Sequence, residues 1–253
     1  MRILVVNCNT SESVTADIVD VAASVASPGT EIVGTQPAWG VSSAEGFYES
    51  FISAAAVLDV LATWDDPFDA VIMAGFGEHG REGARQLLDV PVVDITEAAA
   101  YTASLVGHRF GVVTTMRTAI ASIEQSLAGA GFDPRGIGIR AADIPVLDAQ
   151  LDLESTAAAL AAEAHILLAE GSDALVLGCA GFAGLDRLLE RELGVPVVDG
   201  VAAAVGLCEM LVRLGKSTSK AGPYTPPAAA KPRPGWPRSR PAAALTSRAP
   251  EIF

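Results

Sequence analysis

A duplication within the chain constrains its fold more than any other feature of the sequence. Segment 69–80 (DAVIMAGFGEHG) aligns with 173–184 (DALVLGCAGFAG) at an offset of 104 residues, and 90–94 (VPVVD) aligns with 195–199 (VPVVD) at an offset of 105. Two long copies indicate a duplicated unit, because a solenoid would need three or more shorter repeats. We therefore expect two similar halves with the same order of secondary structure.

A looser match between 2–6 (RILVV) and 109–113 (RFGVV) extends the repeat to the first strand of each half. The predicted domains are an N-terminal α/β lobe over 1–106 and a C-terminal α/β lobe over 107–215, with room for the lobes to interleave at the last helix. Residues 216–253 hold eight of the 15 prolines and show no hydrophobic periodicity. This segment is therefore predicted to be a basic, proline-rich and disordered tail.

Short β-branched runs alternate with Ala-rich stretches in both halves, which is typical of βαβ units around a parallel sheet. The runs are continuously apolar, as expected for strands buried on both faces. Strands are predicted at 3–6, 31–35, 70–73, 90–93, 110–114, 137–141, 174–177 and 195–198. Helices are predicted near 12–26, 48–63, 81–88, 97–106, 117–130, 153–170, 184–193 and 201–213.

Charge is distributed unevenly along the 253 residues, and this excludes several functions. Residues 1–215 contain 10 Arg, no Lys and 29 acidic residues, for a net charge of −19, while the tail carries +6. Because an acidic body repels phosphate, we predict neither a nucleic-acid partner nor an anionic membrane partner. With no lysine before Lys216, neither a Schiff base to pyridoxal phosphate nor a Walker-type phosphate loop is expected.

The cysteines and the apolar runs predict the compartment. No apolar run reaches the roughly 18 residues needed to cross a bilayer, and the apolar N-terminus is too short for a secretory signal. Cys8, Cys179 and Cys208 are an odd number without close spacing, which favours reduced thiols in a cytoplasmic protein. His108 and His165 have no ligand spacing with them, so no metal site is predicted.

Open α/β sheets bind ligands at the carboxyl ends of their strands. In each half, three segments reach this edge: the end of the first strand, the turn after the third strand and the end of the Pro-Val-Val-Asp run. Two facing halves would enclose a small-molecule substrate between similar walls, a geometry suited to chemistry on both faces of a planar intermediate. The predicted substrate-contacting residues are Asn7, Asn9, Thr10, Gly75, Phe76, Thr114, Thr115, Ala180 and Gly181.

Cys179 is the leading candidate for chemistry at this edge. It follows an apolar strand and precedes a helix, so backbone N–H groups and the positive end of a helix dipole would stabilise its thiolate. The alternative is a buried and inert thiol, the usual state of a free cysteine.

Cys8, Glu78 and His79 are further candidate acid or base residues. Cys8 ends the first strand, where the alternative is a small apolar filler, and Glu78 and His79 lie in the glycine-rich turn after the third strand. His79 is equally compatible with an ordinary surface turn. Cys208 lies among apolar residues of the last amphipathic helix and is predicted to belong to the core.

Residues 75–80 (GFGEHG) follow a strand and match the G-x-G-x-x-G pattern of dinucleotide-binding turns, with Asp94 further along. The second half repeats two of these glycines and the aspartate as Gly181, Gly184 and Asp199. Because the duplication by itself accounts for the pattern, we expect no nicotinamide or flavin cofactor.

Five motifs in combination give the chain a resemblance to a known family. They are 1–10 (MRILVVNCNT), 45–48 (EGFY), 112–115 (VVTT), 177–181 (LGCAG) and 194–203 (GVPVVDGVAA). Together they resemble the hydantoin racemase branch of the aspartate/glutamate racemase superfamily, over about residues 1–222. The resemblance implies an α/β fold of two pseudo-symmetric, Rossmann-like (flavodoxin-like) lobes with parallel sheets and the active site between them. It also implies cofactor-independent chemistry and a homo-oligomer.

In this family, one cysteine per lobe removes or delivers the proton beside a carbonyl, on opposite faces of the substrate. The resemblance assigns the second-lobe role to Cys179. The first-lobe position is Gly75, and Cys8 and His79 each stand where the family usually has proline. The ordinary pair of thiols is therefore absent, and the partner of Cys179 is sought among His79, Glu78, Cys8 and a positioned water.

Three functions remain open on this sequence. The first is a racemase or epimerase of hydantoin-type amino-acid derivatives with Cys179 as acid/base. The second is an enolate-protonating decarboxylase, since arylmalonate decarboxylases of this superfamily also combine the second-lobe cysteine with a first-lobe glycine. Against it, Phe76-Gly77 stands where that group has hydroxyl residues. The third is a ligand-binding descendant without catalysis.

Overall fold

The computed structural model describes residues 1–132, 135–226 and the backbone of 245–246. The strands are β1 (Arg2–Asn7), β2 (Glu31–Thr35), β3 (Ala70–Ala74), β4 (Val92–Asp94), β5 (Phe110–Thr114), β6 (Gly136–Ala141), β7 (Ala174–Leu177), β8 (Val197–Asp199) and the short β9 (Leu245–Thr246). The helices are α1 (Glu12–Val25), α2 (Phe47–Thr63), α3 (Arg81–Leu87), α4 (Ile95–Val106), α5 (Ile120–Gly129), α6 (Leu153–Ala169), α7 (Asp186–Leu193) and α8 (Gly200–Arg213).

The strands form two sheets with the same internal order. The first runs β4-β3-β1-β2 and the second β8-β7-β5-β6, and all pairs among these eight strands are parallel. The short β9 adds to the first sheet, antiparallel to β2. This confirms the predicted α/β fold of two pseudo-symmetric lobes. In the described ranges, no helix is both long and apolar enough to cross a membrane.

Equivalent hydrogen bonds recur in the two halves. The Asp69 carboxylate accepts from the Arg2 N–H at 2.7 Å, and that of Asp173 accepts from the Arg109 N–H at 2.8 Å. Each bond ties the turn before the third strand to the start of the first strand. The similarity in sequence at these positions therefore reflects the same local contact, made twice.

The fourth strand of each lobe begins later than predicted. Strands were predicted at 90–93 and 195–198, whereas the ladders start at Val92 and Val197. Each strand follows a proline, Pro91 or Pro196, which has no N–H to donate to a ladder. Their carbonyls still accept bonds from the neighbouring strand, at 3.0 Å and 2.9 Å.

Aspartates at the ends of these strands start the helices that follow. The Asp94 carboxylate accepts from Thr96 N–H at 2.8 Å at the start of α4, and that of Asp199 accepts from Val201 N–H at 2.7 Å at the start of α8. An aspartate at the N-cap satisfies donors that the first turn of a helix leaves free. As a result, α4 begins two residues earlier than predicted and α8 one residue earlier.

Helix α8 belongs to the second half in sequence but packs against the first sheet. Its Glu209 accepts hydrogen bonds from Ser27 and from the Thr30 hydroxyl of the first lobe. Cys208 is fully buried in a core that also contains Ile72 of β3. The largest apolar cluster includes residues of both sheets, so the lobes share one core rather than packing as separate bodies.

Residues 216–226 of the predicted tail contact the first lobe. Lys220 Nζ donates to the Arg85 and Leu88 carbonyls at 2.8 Å and 2.6 Å, which caps the C-terminal end of α3. The Thr218 hydroxyl donates to the Val90 carbonyl at 2.6 Å. The predicted disorder of the remaining tail falls on 227–244 and 247–253, which lie outside the described residues.

Candidate active site

A small cavity of about 30 Å³ lies where the carboxyl ends of β1, β3, β5 and β7 meet. Both lobes contribute to its walls, as predicted from the facing ends of the two sheets. Eleven of the residues singled out in the sequence line it: Asn7, Cys8, Asn9, Gly75, Phe76, His79, Thr114, Thr115, Cys179, Ala180 and Gly181. Its volume is about that of one water molecule, which is smaller than a five-membered ring.

Cys179 presents its thiol to this cavity from the end of β7. Its Sγ accepts a hydrogen bond from the Gly181 N–H at 3.2 Å, at the start of a short 3₁₀ turn. The pKa of Cys179 is raised to about 11, chiefly by burial and also by the nearby Glu45 carboxylate, although the Gly181 N–H and the Thr115 hydroxyl act in the opposite direction. The expected backbone stabilisation of the thiolate is present, but desolvation outweighs it.

Cys8 lines the same cavity, from the end of β1 in the other lobe, and also packs against an apolar cluster of the first lobe. Burial raises its pKa to about 12, and negative charge on Cys179 is the next cause. Cys8 and Cys179 are thus close enough for the charge of one to affect the pKa of the other, and both line one cavity. Cys208, by contrast, is in the core as predicted.

Gly75 sits where neighbouring side chains leave no room for a β-carbon. A Cβ built there would lie 2.4 Å from His79 Cδ2 and 2.7 Å from Cys8 Cβ. Real Cβ atoms do not approach other heavy atoms so closely, because the core is packed near crystal density. The Cys8 and His79 side chains therefore occupy the space that a side chain at position 75 would need.

His79 is buried, not on the surface. Its Nε2 lies 3.3 Å from the Phe76 carbonyl oxygen, and its Nδ1 has no hydrogen-bond partner in the described chain. Burial lowers the pKa of His79 to about 4, so the ring is neutral near pH 7. With the proton on Nε2 donated to Phe76, Nδ1 keeps a free lone pair.

Glu78 and Thr10 do not line the cavity. The Glu78 carboxylate accepts from the Gly80 and Arg81 N–H groups, at 2.7 Å and 2.9 Å, at the start of α3. The Thr10 N–H donates to the Val41 carbonyl at 2.9 Å. Glu78 therefore occupies the N–H groups where a dinucleotide pyrophosphate would bind, which agrees with the interpretation of 75–80 as a product of the duplication.

Several polar lining residues hold the loops of the site. The Asn7 side-chain amide donates to Asn9 Oδ1 at 2.9 Å and to the Thr15 hydroxyl at 3.0 Å, which fixes the turn between β1 and α1. The Thr114 hydroxyl donates to the Gly178 carbonyl at 2.8 Å, which joins β5 to the turn carrying Cys179. These side chains set the positions of the thiols.

Two loops that were not assigned site residues close the cavity. Glu45 Oε1 accepts from the Val146 N–H at 2.8 Å, and its carbonyl accepts from the Thr118 hydroxyl, so this loop of the first lobe is bonded twice to the second. Ala44 and Val146 line the cavity. The motif at 45–48 includes Glu45, whereas no motif includes Val146, which lies in the equivalent connection of the second lobe, between β6 and α6. Across the described residues, no cluster of three potential metal ligands occurs.

The chain is similar in sequence and in fold to proteins of one family. The family described as Asp/Glu/Hydantoin racemase matches residues 3–208. The chain is 37% identical to a hydantoin racemase of Pseudomonas sp. (strain NS671) over 229 residues, which is 90% of this chain and 92% of the relative. The crystal structure of an allantoin racemase from Pseudomonas fluorescens superposes with a TM-score of 0.90 at 50% identity, over 92% of this chain and 100% of that one.

A structure of unliganded arylmalonate decarboxylase is more distant. It has a TM-score of 0.57 and 20% identity, over 93% of this chain and 96% of that one, and it shows a shared fold alone. The family match and the two racemase relatives each cover most of the chain. The chain therefore belongs to the Asp/Glu/hydantoin racemase family, and its class of activity is that of an isomerase.

Proposed function

We propose that the protein racemises hydantoins that carry one substituent on ring carbon 5, a class that includes allantoin, without a cofactor. The relatives named hydantoin racemase and allantoin racemase support this substrate class. The proposed acid/base residue is Cys179. We also propose, from the family resemblance, that the enzyme is a cytoplasmic homo-oligomer.

In this substrate class, the proton on carbon 5 can be removed without a cofactor. The hydrogen on carbon 5 lies between a carbonyl group and a nitrogen, so the electron pair left by its removal is delocalised onto the carbonyl oxygen. The Cys179 thiolate takes this proton, and the intermediate becomes planar at carbon 5. A proton returned to the opposite face gives the other enantiomer.

One observation carries the proposal: the Cys179 Sγ lies in the cavity between the lobes and accepts the Gly181 N–H. That bond favours the thiolate and directs it. Once deprotonated, a Cys179 thiol whose pKa is about 11 is a stronger base than a His79 imidazole whose pKa is about 4. A weak carbon acid needs the stronger base.

Deuterium exchange tests the proposal. Single enantiomers of allantoin and of 5-alkyl hydantoins are incubated in D2O, with optical rotation and deuterium at carbon 5 followed above the uncatalysed background. We expect loss of rotation with deuterium uptake, and a loss of at least about 100-fold for Cys179→Ala. Cys208→Ala, a core thiol outside the site, is the control. Absence of exchange with every hydantoin contradicts the proposal.

The alternative is protonation of an enolate formed by loss of carbon dioxide. The glycine at position 75, with Cys179 in the other lobe, favours it, while the absence of hydroxyl side chains at Phe76 and Gly77 speaks against it. Carbon dioxide release from disubstituted malonates with a chiral product would establish it. Ligand binding that survives Cys179→Ala, with no turnover of either substrate class, would instead indicate a non-catalytic descendant.

A further inference from the structure

We infer that Cys8 is the second proton carrier of the reaction and faces Cys179 across the substrate. This inference rests on the proposed racemase function and names the group that the function leaves open. Cys8 and Cys179 end strands of different lobes, β1 and β7, and both line the same cavity. The first-lobe thiol has thus moved from the end of β3, where Gly75 stands, to the end of the neighbouring strand β1.

The packing around Gly75 leaves no room for a thiol at that position in the present arrangement. A Cβ at position 75 would overlap the Cβ of Cys8 and the ring of His79. A side chain at position 75 would therefore force Cys8 and His79 to shift. Strands β1 and β3 are hydrogen-bonded neighbours, with Asn7 opposite Ala74, so the next residues of each, Cys8 and Gly75, reach the same part of the cavity wall.

The other candidates fit this role less well. The Glu78 carboxylate is bonded to the start of α3 and does not line the cavity. His79 lines it, but its Nε2–H is directed at the Phe76 carbonyl and burial favours the neutral ring, so it lacks the imidazolium proton that would serve as the acid. Cys8 carries a proton under the same conditions, because burial and the nearby charges on Cys179 and Asp94 all disfavour its thiolate.

The two thiols are not equivalent, and this sets the direction of each step. Cys179 accepts the Gly181 N–H, so Cys179 is the thiol that more readily loses its proton, and the proton stays on Cys8. The C5–H bond breaks as its proton joins the Cys179 sulfur, and the electron pair moves onto the ring carbonyl. This pair then returns to carbon 5 as a new C5–H bond forms with the Cys8 proton, which leaves Cys8 as thiolate. The opposite enantiomer reacts by the same steps in reverse.

Single-thiol variants separate the two half-reactions. Cys8→Ala and Cys179→Ala are compared with the unmodified enzyme on each enantiomer of one 5-substituted hydantoin in D2O. We expect each variant to lose racemisation by at least about 100-fold. Cys8→Ala should still exchange carbon-5 hydrogen for deuterium, with retention, in one enantiomer only. Cys179→Ala should do so in the other.

The unmodified enzyme supplies a second readout that does not depend on a variant folding. Early in the reaction, deuterium should appear in the product enantiomer and remain absent from the recovered substrate, as expected when different groups act on the two faces. Cys208→Ala should behave as the unmodified enzyme.

The outcomes are distinguishable. An enzyme that racemises hydantoins equally well with Cys8→Ala, when circular dichroism shows a native fold, overturns the role of Cys8 and leaves the proposed function intact. Equal deuterium content in the substrate and the product at early times would likewise overturn the role of Cys8 and leave the proposed function intact. An unmodified enzyme inert toward every hydantoin refutes the proposed function, and this inference with it.

Discussion

Gly75 is the residue on which the arrangement of the site depends most. We predict that Gly75→Ala lowers the free energy of unfolding by about 1–3 kcal/mol and lowers activity, because the new Cβ overlaps His79 and Cys8. Gly138→Ala is the matched control, since its Cβ would meet only Leu167 Cδ2, at 3.8 Å. Urea unfolding measures both. Equal stability of the two variants would mean that the site relaxes around the added methyl.

The charge of Glu45 affects the pKa of Cys179 and therefore the pH dependence of the reaction. Racemisation kcat/KM should rise roughly tenfold per pH unit from pH 7 to 9, because the thiolate fraction of Cys179 grows toward its pKa of about 11. Glu45→Gln should move this rise to lower pH, because it removes a charge that raises the pKa while its amide oxygen can still accept from Val146. A profile unchanged by Glu45→Gln would contradict the coupling.

The sequence predicted the site residues that lie at ends of strands, and not the contacts that loops make. Cys179 and Thr115 followed from strand ends, and the repeat identified Gly75 as the missing thiol position. That His79 is buried against Gly75 depends on side-chain directions within a turn, which residue spacing does not specify. The Glu45–Val146 bond joins the β2–α2 and β6–α6 connections, which occupy equivalent places in the two lobes but share no sequence motif, so aligning the repeats could not reveal it.

At the scale of elements, helix α8 contains two glycines with opposite expected effects. Gly206→Ala should stabilise the protein by about 1 kcal/mol, because position 206 is exposed within the helix and no atom lies within 4 Å of its Cβ. Gly200→Ala should destabilise it, because the Cβ would lie 2.6 Å from the Ile95 carbonyl oxygen. Melting temperatures of the two variants check the prediction. A shift in the same direction for both would contradict it.

Most elements could be predicted to within two residues because their signals are local. The β-branched runs gave the strands 31–35, 110–114 and 174–177 with their observed bounds. Errors arose where a proline delayed a ladder, as at Pro91, or where an aspartate N-cap started a helix early, as at Asp94. Both effects depend on whether one backbone N–H has a hydrogen-bond partner, and the spacing of apolar residues in the sequence does not show this.

For the whole molecule, buried thiols predict a loss of stability in alkali. Burial raises the pKa of Cys8, Cys179 and Cys208 above their ordinary value of 9.0. Above pH 9 the unfolded chain therefore releases protons that the folded chain keeps, so the free energy of unfolding falls as pH rises. For fully buried Cys208 the slope is about 1.4 kcal/mol per pH unit. Denaturant unfolding from pH 8 to 10 should show a shallower decline in Cys208→Ala, and identical slopes would contradict the prediction.

The position of α8 determines whether either half of the protein could be produced as a separate fragment. The repeat suggests that each half could be made alone, yet the helix over β3 and β4 is encoded at the end of the second half. A fragment ending at residue 106 would leave apolar residues such as Ile72 facing water, and a fragment starting at 107 would carry an apolar helix with no sheet to cover. We therefore expect neither half to fold alone, even though the two halves repeat the same order of strands and helices.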